Sequence, residues 1–207
     1  MRIERIEKSK HKQERVLVYL EGGDLLRITE GELLRFGLYK GLDISPETVV
    51  QLQKSGTRSE TRVRAVNMVS ARPLSKKELT RRLVQKGASA EDADAAADYL
   101  ENVGALDDAA YAAMLVRHYS ARGYGAARIR DELSRRGVPR EKWDAALSAA
   151  PDAQETLSRL IASKTRGQAL DEDGLRRLSA ALVRRGFPWG EVWRALRAAG
   201  AEPADEE

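Results

Sequence analysis

Leu79-Thr-Arg-Arg-Leu83-Val-Gln-Lys86-Gly87 aligns with Ile129-Arg-Asp-Glu-Leu133-Ser-Arg-Arg136-Gly137 and again with Leu178-Ser-Ala-Ala-Leu182-Val-Arg-Arg185-Gly186. The three glycines lie 50 and 49 residues apart. Downstream, Ala93, Trp143 and Val192 share a column, as do Ala96, Ala146 and Ala195, then Ala97, Leu147 and Leu196. Upstream, Ser70-Ala71-Arg72 matches Ser120-Ala121-Arg122. Self-similarity at a fixed period is the signature of a repeat architecture. The chain therefore holds three copies of a unit of about 50 residues.

Each unit reads as three helices. The first is expected near Arg62–Ala71, Tyr111–Arg122 and Ala153–Ser163, with apolar residues such as Tyr111, Leu115 and Tyr119 at helical spacing. The second ends at the cations before Gly87, Gly137 and Gly186, where a residue just past a helix turns left-handed without a Cβ clash. Ser75 with Glu78 has the spacing of a capping box. The third helix opens at Ser89, Pro139 or Pro188. One unit buries little apolar surface alone, so the units are expected to stack into an elongated array. The expected divisions are 56–108, 109–152 and 153–200 for the repeats, with Glu202 to Glu207 inside a disordered acidic tail, 201–207. The polar stretch from Lys164 to Asp173 connects two helices of the third unit and is expected to let it swing.

Residues 1–55 look different. Arg15–Leu20 and Leu25–Thr29 are β-rich runs around Glu21-Gly22-Gly23-Asp24, a hairpin signal, and Arg2–Ile6 is a candidate third strand. Glu30–Phe36 reads as a short helix ending at Gly37, and Ser45-Pro46-Glu47 as a helix start. The fold class expected is mainly α: three tandem three-helix repeats behind a small β-containing element.

Composition narrows the chemistry. The 207 residues contain no cysteine and two histidines, which excludes disulfides, thiolate metal sites and cysteine nucleophiles. No run approaches the roughly 18 apolar residues of a membrane span, and Met1-Arg2-Ile3-Glu4 lacks the apolar core of a secretory signal. A soluble, cytoplasmic protein is expected, with no membrane partner. Arg122-Gly123-Tyr124-Gly125 lacks the lysine and preceding strand of a phosphate loop. His118 reads as a half-buried structural residue and His11 as a solvated one. Asp107-Asp108 is explained by a helix N-cap rather than a metal. No enzyme, metal or cofactor is expected.

Cations are the remaining candidates. Net charge is +4, and residues 61–137, with 14 basic against 10 acidic side chains, are the most positive stretch. Lys86, Arg135, Arg136, Arg184 and Arg185 recur before each glycine, where they complement the helix macrodipole. With Arg72, Arg81, Arg82, Arg122, Arg128, Arg130, Arg176 and Arg177 they also form a candidate surface for an acidic partner or a phosphate backbone. Specific DNA reading fits poorly, because the third helix of the first unit carries Glu91, Asp92, Asp94 and Asp98 and no base-reading Arg, Asn or Gln.

Three ordered segments resemble the RecX family, bacterial regulators of the RecA recombinase. Leu100-Glu-Asn-Val-Gly104-Ala-Leu106-Asp107-Asp108-Ala-Ala-Tyr111-Ala112 is similar to its L-x-x-x-G-x-[IL]-[DN]-D-x-x-[YF]-A. Arg122-Gly123, followed by Ile129, Glu132, Leu133, Arg136, Gly137 and Val138, is similar to its R-G followed by I-x-x-E-L-x-x-[KR]-G-[IV], and Arg185-Gly186-Phe187 to its closing [KR]-G-F. The resemblance covers roughly residues 60–200 and is weaker before them. It implies a curved array of three repeats that binds in the groove of the RecA filament on single-stranded DNA. It further implies inhibition of ATPase, strand exchange and coprotease activity, a place in DNA repair and the SOS response, and no catalytic residues. The partners it implies are RecA and, on the same basic face, single- and double-stranded DNA; a monomer is expected. The alternative reading is a helical module with sequence-independent affinity for nucleic acid.

Overall fold

A computed structural model describes residues 1–10, 15–165 and 170–200. His11, the tail from Glu202 and residues 166–169 of the expected 164–173 connection lie outside the described residues. The ends of that connection prove helical, Lys164 and Thr165 closing one helix and Glu172 and Asp173 opening the next. Two compact units emerge: residues 1–73 with 78–106, and residues 74–77 with the chain from 107 onward.

In the first unit, β1 (Ile3–Lys8), β2 (Arg15–Leu20) and β3 (Leu25–Thr29) form an antiparallel sheet in that order. The alternation Val16, Val18, Leu20 puts every second β2 side chain on one face, as the pleat requires. Leu26, Ile28 and Ile3 join that face, and Val49 and Leu52 complete the cluster. The helix α1 (Glu30–Arg35) starts at a reciprocal capping box, Thr29 with Glu32. β2, β3 and α1 stand where the residues predict them, while β1 starts one residue later and runs two residues further than the Arg2–Ile6 expected.

The helix α2 (Pro46–Ala71) is longer than expected. The starts read at Ser45-Pro46-Glu47 and near Arg62 belong to one helix, with Ser45 accepting from the Thr48 amide at its head. Gly56 sits inside it because the β3 backbone crosses there: a Cβ would press into the Arg27 carbonyl oxygen. The same residue that reads as a helix weakness is what lets sheet and helix meet. Glu32 locks this crossing, taking hydroxyl donors from Ser55 and Ser59 on α2.

The repeat helices follow the expected pattern. α3 (Lys76–Gln85) and α4 (Ala90–Asn102) complete the first, with Ser89 capping α4 at the Asp92 amide. α5 (Asp108–Ala121), α6 (Ala126–Arg135) and α7 (Trp143–Ser148, after one 3-10 turn from Arg140) make the second. α8 (Ala153–Thr165), α9 (Glu172–Arg184) and α10 (Trp189–Ala198) make the third. Gly87, Gly137 and Gly186 all have positive φ, as their position past a helix end predicts. Tyr111, Leu115, Ile129 and Leu133 centre one core, and Leu157, Ile161, Leu182 and Leu196 another.

Candidate functional site

The cations on the second helices sort into three groups. The first group surrounds buried carboxylates. In the first unit Glu78, its side chain 8% exposed, takes Arg72 at 2.8 Å and Arg82 at 2.7 Å. In the second unit Glu132, its side chain 5% exposed, pairs with Arg135, lies 3.6 Å from Arg128 and 4.0 Å from Arg136, and accepts the Tyr119 hydroxyl at 3.0 Å. Arg136 also donates to the Tyr111 hydroxyl at 3.2 Å. The columns are the same in both repeats with the signs exchanged: Glu78 and Arg82 match Arg128 and Glu132. A buried acid needs such donors, because an unpaired charge is costly to desolvate. These five arginines are thus tied into their own repeats, and part of the positive surface is cancelled.

A second group builds the seam between the second and third repeats. The Gly125 amide donates to the Arg185 carbonyl at 2.8 Å, and the Ala127 amide donates to the Gly186 carbonyl at 3.2 Å. The C-terminal carbonyls of α9 thereby satisfy N-terminal amides of α6, an alignment the two helix dipoles favour. Both glycines are required by contact: a Cβ on Gly125 would stand 2.7 Å from the Phe187 nitrogen, and one on Gly186 3.0 Å from the Arg128 Cα. The Arg185 guanidinium donates to the carbonyls of Arg122 and Gly123 at 3.1 and 3.2 Å and lies 5.6 Å from the Tyr124 ring centroid. A related arrangement occurs before α3, where the Ser75 hydroxyl donates to the Arg136 carbonyl and the Lys76 amide donates to Asp108.

The third group touches no buried carboxylate among the described residues. Arg81, Lys86, Arg130 and Arg184 are exposed and make no ion pair among the described residues. Arg177 bonds to the Asp173 carbonyl of its own helix, Arg176 pairs with Asp173 at 2.8 Å, and Arg122 stands 3.4 Å from His118. The third repeat has Arg177 and Ala181 in the columns that hold the buried acid elsewhere, so its cations lack that sink.

His118 is exposed, edge-on to Tyr119, and not half-buried as the sequence reading has it. It sits in the last turn of α5, off the face that Tyr111, Leu115 and Tyr119 turn to the core. Asp107 caps α5 through the Ala109 and Ala110 amides, while Asp108 reaches the α3 start. Among the described residues no three His, Asp or Glu gather as metal ligands, and no helix is long and apolar enough to cross a membrane. The burial of Glu78 and Glu132 escapes the sequence reading, which takes Glu78 only as a capping-box partner of Ser75, because an i,i+4 acid–arginine pair looks the same whether exposed or buried. Their only signal is the exchanged signs in matching columns.

Known proteins share this organisation. Residues 62–100 match the family model for RecX, first three-helix domain, and residues 107–147 that for RecX, second three-helix domain. The regulatory protein RecX of Stenotrophomonas maltophilia is 35% identical over 148 residues, 70% of this chain and 91% of its own. That of Pseudomonas savastanoi pv. phaseolicola is 36% identical over 141 residues, 67% of this chain and 90% of its own. A crystal structure of regulatory protein RecX has a TM-score of 0.75 at 20% identity, covering 97% of this chain and 99% of that one. RecX from Lactobacillus salivarius gives 0.64 at 17%, covering 70% and 97%. At those identities the structural likeness bears on the fold alone.

Proposed function

This chain belongs to the RecX family of regulatory proteins, and from that premise we propose that it binds the RecA filament on single-stranded DNA and lowers its ATPase, strand exchange and coprotease activities. It acts by binding and carries no reaction of its own. The observation that supports this reading is the set of exposed cations that make no ion pair among the described residues, Arg81, Lys86, Arg130 and Arg184. Cations that no described carboxylate neutralises keep their charge for an acidic protein surface or a phosphate backbone. Arg72, Arg82, Arg128, Arg135 and Arg136 serve mainly to brace their own repeats and Arg185 to join two of them, so the contact list is shorter than the sequence suggests.

The test is RecA-catalysed ATP hydrolysis on single-stranded DNA, titrated with this protein well below one per recombinase. A fall in rate that persists in excess DNA is expected, and it should weaken when Arg81, Arg130 and Arg184 are all changed to Glu. An unchanged rate with wild-type protein would refute the reading. A fall reversed by added DNA would mean competition for the strand and would favour the DNA-binding module instead.

A further inference from the structure

α10 carries a stack that plays no part in the contacts above. Trp189, Trp193 and Arg197 follow one another at four-residue steps, which places them on one stripe of the helix. The two indoles lie 5.9 Å apart between centroids at an interplanar angle of 11°. The Arg197 guanidinium stands 5.9 Å from the Trp193 ring centroid. Trp193 packs against the core of the third repeat and anchors the stack, whereas Trp189 is 57% exposed. Scattered apolar residues on a surface need no explanation, but this ring is also held parallel to a fixed neighbour. Beside it, a Cβ on Gly190 would meet nothing within 4 Å, so the approach is open. From Arg184 to Arg197 the chain carries four arginines, 184, 185, 194 and 197, against the single carboxylate of Glu191.

We propose that the face of Trp189 turned away from Trp193 is a stacking platform for an unpaired nucleobase of single-stranded DNA. Aromatic rings set among cations are the chemistry that binds single strands, the ring taking a base and the arginines the flanking phosphates. Such stacking is tolerant of sequence because every base has a π face. Choosing DNA over RNA rests on the function proposed above; the platform itself does not depend on it.

The experiment is anisotropy of a labelled oligo(dT) of about fifteen nucleotides, a length of single-strand site size, against an abasic oligomer of equal length, with RecA absent. Wild-type protein should prefer oligo(dT). Trp189→Ala should weaken that binding by about five- to hundredfold, the loss of one stacked base, while leaving the abasic oligomer unaffected. Trp189→Phe should restore most of the affinity, which a folding defect would not allow; circular dichroism checks both variants. Equal affinity for the two oligomers, or an unchanged Trp189→Ala, would overturn the proposal. So would self-association in sedimentation that Trp189→Ala abolishes without affecting oligo(dT), because the ring would then serve a second copy of the chain. The assay contains no recombinase, so its failure leaves the ATPase result standing.

Discussion

Replacing Gly125 by alanine tests whether the second and third repeats are joined through their backbones. Gly125 has φ −83° and ψ 169°, a conformation alanine adopts freely, so no backbone strain arises. What the added Cβ meets is the third repeat: the Gly186 carbonyl and, at 2.7 Å, the Phe187 nitrogen. Relief requires the chains to separate, which breaks the bonds from the Gly125 and Ala127 amides. Each is worth about 1 kcal/mol net, and residual overpacking adds roughly 1–3 kcal/mol. The small loss from alanine at an N-cap and the entropic gain from removing glycine nearly cancel. The expected destabilisation is about 3–5 kcal/mol, or roughly 6–20 °C in Tm for a chain of this size. Gly190→Ala is the control: its Cβ enters open space inside α10, and helix propensity favours it by up to about 1 kcal/mol. Thermal unfolding followed by circular dichroism reads both, and hydrogen exchange at the Ala127 amide should accelerate in Gly125→Ala. A Gly125→Ala protein as stable as wild type would refute the seam.

Glu132→Gln should cost about 2–4 kcal/mol in urea unfolding, because it leaves Arg128, Arg135 and Arg136 crowded around a neutral side chain; a loss below 0.5 kcal/mol, roughly that of a surface change, would show the site to be solvated. Burial pushes the Glu32 carboxyl upward, but donors from Ser55, the Thr29 amide, Ser59 and the Thr29 hydroxyl outweigh it and hold it below the usual carboxylate range. A depressed value means stability that is present above the unfolded-state range and lost as pH falls through the folded one, so Glu32→Gln should flatten the acid limb of the stability–pH curve; an identical limb in both proteins would contradict this. Arg184→Glu and Arg185→Glu should differ although they are neighbours. The first should leave the urea midpoint within about 0.5 kcal/mol, while the second loses two bonds to the Arg122 and Gly123 carbonyls and should cost about 2–3 kcal/mol.

Much of the fold is legible in the residues because it follows local rules. The glycine after each second helix, the alternation in β2 and the serine and aspartate caps each act within a few positions of themselves. The candidate surface is less legible because charge in a sequence carries no sign of burial. Arg135 and Arg184 occupy the same column, yet one is paired with a buried carboxylate and the other is not. Gly125 and Gly56 are likewise silent, since the atoms that forbid a Cβ there belong to segments 61 and 29 residues away in the chain. The exposure of His118 is hidden for the complementary reason: a matching column in the repeat fixes the position on a helix, but not how much neighbouring structure covers it.

A seam made of peptide groups has a bearing on how repeats multiply. Its two peptide bonds ask nothing of the side chains beyond the absence of two Cβ atoms. Arg185 is the one side chain described above as bonding across it, so most neighbouring positions can drift in sequence without loosening the joint. The contact before α3 is less forgiving, because it runs through the Ser75 hydroxyl on the Arg136 carbonyl and the Asp108 carboxylate on the Lys76 amide. Drift in sequence is therefore free at the Gly125 junction and checked by two particular side chains at the other.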